Sequence, residues 1–186
     1  MKPLYATLAL LVALLPGTLA AQDATPPPNP LIYDDLAMHF QAPDGWYSAG
    51  QQKIDLKDLG DDPVPVAAWY TRSGDRPVKM IMDMQHFESS LDAFESAVEQ
   101  HIRDATADGV IRSKEHIALK NGMPAYFIGV VSGSGFDTTK SYVVAWVDGQ
   151  RGVQIIVTAQ VGFIDADTAK KWMSNVTAVR YPVDRE

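Results

Sequence analysis

The segment from Thr139 to Val161, TKSYVVAWVDGQRGVQIIVTAQV, constrains this chain more than any other. Asp148-Gly149 falls between two apolar, β-branched runs, and a tight hairpin turn demands the positive φ values that such residues adopt most readily. Two long strands closed by that turn are therefore expected. A two-residue loop sets Val147 opposite Gln150 and a four-residue loop sets it opposite Gly152. Both place Tyr142, Val144, Trp146, Val153, Ile155, Val157 and Ala159 on one side, because strand side chains alternate with period two. A three-residue loop would swap the faces of the second strand. The other face mixes Val143, Ala145, Val147 and Ile156 with Gln154, Thr158 and Gln160. One face thus asks for deep cover, and the other for a second layer shared with water. Each Val, Ile or Tyr buried there contributes about 1.5–3 kcal/mol relative to exposure.

Two amphipathic helices are available as cover. The first starts at Ser89 or Ser90, where Ser89-x-x-Asp92 fits a capping-box-like start, and continues to about Ala107 with Leu91, Phe94, Val98, Ile102 and Ala105 at helical spacing. The second is capped by Asp165 or Asp167 and is expected through about Val176, with Ala169, Trp172, Met173 and Val176 facing inward. The remaining periodic segments read as strands: Leu36 to Ala42, a short one opened by Trp46 after the Pro43-Asp44-Gly45 turn, Val66 to Thr71, Val78 to Phe87, Val110 to Leu119 and Met123 to Val131. The polar side of Val110 to Leu119, with Arg112, Lys114 and His116, marks a solvent-facing or edge strand. Short turns between these strands, with helices packed on the sheet, predict an α+β domain built on an antiparallel sheet of about six to eight strands.

The N-terminus carries an address. Lys2, an apolar run from Leu4 to Leu15 and the small residues Thr18-Leu19-Ala20-Ala21 form the three parts of a secretory signal peptide over residues 1–21, cleaved after Ala20 or Ala21. The apolar run is shorter than the roughly 20 residues that span a bilayer, so no transmembrane segment is expected in the mature chain. Residues 22–30, QDATPPPNP, form a Pro-rich tether, and residues 31–182 a single domain. A periplasmic or secreted location follows. The chain has no Cys, which excludes disulfides, cysteine-held metal centres and a thiol nucleophile. Loss of the leader removes Lys2 alone among the charges and leaves 15 basic against 23 acidic residues. That field repels polyanions, so nucleic acid is not an expected partner.

No metalloprotease, nucleophile-elbow, phosphate-loop or dinucleotide motif is present. A hydrolase would have to assemble its site in space from the histidines at 39, 86, 101 and 116. Another reading starts from VKMIMDMQHF, where Met80, Met82, Met84 and His86 share one face of a strand. Thioether and imidazole suit copper in an exported, thiol-free protein. Adjacent ligands on one strand nevertheless stand about 6–7 Å apart, too far to share a metal without a bulge, and methionine is a ready filler of cores. Trp46, Tyr47, Trp69 and Tyr70, near strand ends or on edge-like strands, are the candidate recognition residues.

The entry MHFQAPDGWYS, running from a strand into Pro43-Asp44-Gly45-Trp46, together with the order of strands and helices that follows, resembles the PsbP-like and DcrB-like group of α/β/α sandwich domains. The resemblance covers about Leu31 to Pro182. That group includes photosystem accessory proteins, a Ran-binding nuclear transport factor and bacterial envelope proteins, most of them non-enzymatic. It implies an exported accessory or binding domain of the cell envelope, without a cofactor or catalytic residues, whose partner is an envelope protein or a small ligand.

Overall fold

The computed structural model describes residues 31–33, 38–40, 42–51, 54, 58–73, 76–106 and 108–178. The leader and tether expected over residues 1–30 lie outside these. In chain order the elements are β1 (Leu31–Tyr33), β2 (Met38–Phe40), β3 (Tyr47–Gln51), β4 (Val64–Ser73), β5 (Arg76–His86), α1 (Leu91–Ala105), β6 (Val110–Ala118), β7 (Pro124–Ser132), β8 (Thr139–Asp148), β9 (Arg151–Gln160), α2 (Ala166–Met173) and β10 (Val176–Ala178). Seven strands form one sheet in the order β3-β4-β5-β9-β8-β7-β6, antiparallel throughout. No helix among the described residues is long and apolar enough to cross a membrane.

The long hairpin is β8 and β9. Val147 pairs with Gly152 and Asp148 with Arg151, so the connecting residues are Gly149 and Gln150, one position later than the Asp148-Gly149 centre expected. The Arg151 guanidinium donates to Asp148 Oδ2 at 2.6 Å, which closes the last pair, and Gly149 takes φ 62°, the left-handed region that glycine enters without strain. The face assignment is unaffected: Val144, Val153, Ile155 and Val157 are all fully buried.

Each face of the sheet carries a hydrophobic core. On one, Met80, Met82, Met84, Val144, Trp146 and Ile155 pack with Phe40, Val176 and the α2 residues Ala169 and Met173. On the other, Ile128, Val130, Val143 and Ala145 pack with Phe94 and Val98 of α1. The start of α1 is set by Ser90, one position after the Ser89-x-x-Asp92 pattern expected, and its Oγ accepts from the Ala93 N–H at 3.2 Å. Its first buried ring, Phe94, lies directly over Gly152, where any Cβ would collide with it. The close approach requires glycine on the strand there.

Two expectations about the ends are corrected. The last helix stops at Met173, and Val176, 1% exposed, opens β10. A residue three positions past the helix still points into the same core, so the helical spacing of Ala169, Trp172, Met173 and Val176 did not reveal where the helix ended. Secondly, the strand expected from Leu36 to Ala42, described here at Met38–Phe40, does not join the main sheet. It is the centre of a separate sheet, β1-β2-β10, in which Phe40 lies opposite both Leu31 and Val176.

Candidate binding surfaces

The four candidate recognition aromatics divide by side of the sheet. Trp69 is 4% exposed with its ring 4.9 Å from Phe40, and Trp46 is 7% exposed and meets Trp172 of α2 at 5.3 Å and 78°. Both are core residues. Tyr47 and Tyr70 are cross-strand partners on the opposite face, stacked at 5.5 Å and 23°, and Tyr47 is 39% exposed. The α1 cluster draws on β6 to β9, whereas the same face of β3, β4 and β5 has no helix in its cluster. There Tyr70 pairs with Lys79, and Ala68 with Ile81. All four are half-buried or exposed, so an aromatic and aliphatic strip faces outward next to the edge strand β3.

Met80, Met82 and Met84 stand in one row, as their spacing requires, and are 0%, 0% and 1% exposed. β5 lies between β4 and β9, so the row is walled on both sides and filled over by the core. His86 continues beyond it. Its ring sits 3.5 Å from Asp61 and 3.2 Å from Glu88, and its backbone N–H donates to Gly60 at 2.7 Å. Among the described residues no group of three or more His, Asp or Glu side chains is placed to hold a metal ion. The other described histidine rings are also dispersed: His116 meets Tyr126 edge-on at 4.2 Å, and His101 lies on α1 with Nε2 buried.

Three charged features escaped the sequence reading. Asp83 is 5% exposed on the α1 side of β5, and Gln154 Nε2 donates to its Oδ2 at 3.2 Å. Burial pushes its carboxyl up to about 6, with the Gln154 bond pulling the other way. Alternation alone placed it on the polar side of the Met row, which gave no sign of burial. Lys114, on the edge strand β6, is held by Glu95 at 2.7 Å and by Glu99. The Lys114 bond holds the Glu99 carboxyl below its usual range. Tyr126 donates to Asp92 Oδ1 at 2.6 Å, a bond that keeps the phenol above its ordinary range. Together these tie the exposed side of α1 to β6 and β7.

A fourth feature is a cleft of about 620 Å³ lined by Ala42, Pro43, Asp44, Lys120, Lys171, Trp172, Ser174 and Asn175. Three segments far apart in sequence make it: the turn before β3, the turn between β6 and β7, and the C-terminal end of α2. Each wall is tethered. The Trp46 N–H donates to Pro43 at 3.2 Å, and Thr71 Oγ1 donates to Gly45 at 3.0 Å. Across the cleft, the Lys120 N–H donates to Ser174 at 3.0 Å and Lys120 Nζ to Asn175 Oδ1 at 3.1 Å. Two of these turns were legible as turns, but no local pattern announces that they meet.

No protein-family model and no curated protein matches the sequence. The fold does have a match, the solution structure of cyanobacterial PsbP (CyanoP) from Synechocystis sp. PCC 6803, with a TM-score of 0.56 at 12% identity, covering 87% of this chain and 99% of that one. The α+β architecture, an antiparallel sheet with α1 on one face and α2 on the other, is the PsbP-like fold.

Proposed function

We propose that the mature chain is an exported, non-enzymatic accessory or binding domain of the cell envelope, and that it meets its partner through the outward face of β3 to β5. The observation that carries this is the Tyr47–Tyr70 stack, set among Ala68 and Ile81 on the part of the sheet outside the α1 cluster. Tyrosine supplies contact area at low entropic cost and retains a hydroxyl for water or a partner, which suits a surface that is alternately bare and covered. The leader-like residues 1–21 support export, and the PsbP-like fold supports an accessory role by analogy with its group.

The test is a Tyr47→Ser/Tyr70→Ser variant compared with the wild type in pull-down from native envelope extract. The variant should melt within a few degrees of the wild type and lose the captured partner. Retention of the same partner at the same yield would overturn the surface assignment. Export is checked separately by the intact mass of the protein from the periplasmic fraction, which should begin at Ala21 or Gln22.

A further inference from the structure

We infer that the cleft at the end of α2 binds a small anion carrying a flat apolar group, of the class of aromatic carboxylates and aryl phosphates. Charge is the first argument. In a chain of formal net charge −7, the cleft is lined by Lys120 and Lys171 against Asp44 alone, a local excess of positive charge. Those cations are not spent elsewhere. Lys120 Nζ bonds the neutral amide oxygen of Asn175, and Lys171 makes no ion pair among the described residues. Its neighbour Lys170 differs: it is turned away to Glu115 at 2.5 Å and lies over the Phe127 ring at 5.1 Å.

The end of a helix normally disfavours an anion, because its free carbonyls carry the negative end of the helix dipole. At α2 two of those carbonyls are engaged, as is that of the residue that follows the helix. The Lys170 and Trp172 carbonyls accept from Ser174 and Asn175, and the Ser174 carbonyl accepts from Lys120. The opposing field is therefore weakened where the two ammonium groups gather.

Shape is the second argument. The volume, about 620 Å³, lies within the roughly 300–1,000 Å³ typical of small-molecule sites. Trp172, Pro43 and Ala42 supply its apolar wall. Trp172 is half-buried, anchored by its perpendicular contact with Trp46 and by the main core, and its remaining surface lines the cleft. The tethers across the cleft hold the walls before a ligand arrives, so little ordering cost is added on binding. The cleft is distinct from the Tyr47–Tyr70 face, and either assignment stands or falls alone.

The experiment titrates the full mature chain with 2-naphthoate, 2-naphthyl phosphate and, as the charge control, 2-naphthylmethylammonium, followed by amide and indole N–H shifts. Saturable shifts should appear at Lys120, Trp172 and Asn175 with at least one anion, and which anion binds more tightly identifies the head group. Lys120→Gln/Lys171→Gln, two exposed substitutions that leave the core intact, should weaken binding by roughly tenfold, since each exposed charge contact accounts for a few-fold. Asp44→Asn should tighten it. Tyr47→Ser/Tyr70→Ser should leave it unchanged. Absence of a saturable shift with both anions up to ~10 mM, equal binding of the cation, or shifts mapping outside the cleft would each overturn the inference.

Discussion

Asp83→Asn is the substitution whose consequence is most directly worked from the structure. The carboxyl is 5% exposed, sits opposite Gln154 in the β5–β9 ladder and receives one side-chain hydrogen bond, from Gln154 Nε2. Burial raises it from 3.8 to about 6. The native state therefore holds a proton that the unfolded chain has already released, and stability falls as pH rises across that window. At about 1.4 kcal/mol for each tenfold change in proton affinity, ionised Asp83 costs about 3 kcal/mol at pH 7.5, most of it lost between pH 4 and pH 6. Asparagine keeps the size and the capacity to bond Gln154 but carries no charge. The assay is urea unfolding of both proteins from pH 4 to pH 7.5, taking the difference at each pH so that the other titrating groups cancel. The asparagine variant should gain on the wild type steadily, by about 2–3 kcal/mol at the upper end. A difference that stays flat over this range would show that Asp83 ionises as freely in the folded protein as in the unfolded chain, and the reasoning from burial would fail.

Gly152→Ala should destabilise by about 1–3 kcal/mol, because the new methyl group meets the Phe94 ring and α1 must lift to admit it. Gly149→Ala, at a turn with open space around it, tests backbone strain alone and should cost less. Met82→Ala should cost about 2–5 kcal/mol by opening a cavity, whereas Met82→Leu should cost less than about 1.5 kcal/mol; thermal melts separate them. If Met82→Leu/Met84→Leu instead abolished a copper affinity tighter than ~10 μM measured by titration, the row would be a ligand set and not core filling. Ile155→Asp places a charge at a fully buried position and should leave no cooperative melting transition. Lys114→Ala, which removes ties to Glu95 and Glu99 at the surface, should retain one.

How far the fold was legible depended on how local the signal was. The hairpin faces, the start of α1 at one of two adjacent serines and the edge position of β6 each follow from contacts within a few residues or from simple alternation. The small β1-β2-β10 sheet was not legible, because three-residue strands carry no usable period and its outer members come from opposite ends of the domain. Asp83 fails for a related reason. Alternation assigns it a side, but its burial depends on β5 lying between β4 and β9. The aromatic quartet shows both limits at once: residue type marked all four, and only the packing of Phe40 and Trp172 showed that Trp69 and Trp46 belong to the core while Tyr47 and Tyr70 face out.

Sequence by itself therefore determined the antiparallel framework, the buried side of its central hairpin and the two helices that cover it, since turn chemistry and side-chain period act over a few residues and need no knowledge of the rest. Tertiary structure decided the second sheet, the buried acid in β5, and the cleft where Asp44, Lys120 and Trp172 converge. Those features arise from segments tens of residues apart, and only the packing of α2 and the small sheet against the main one brings them within reach of one another.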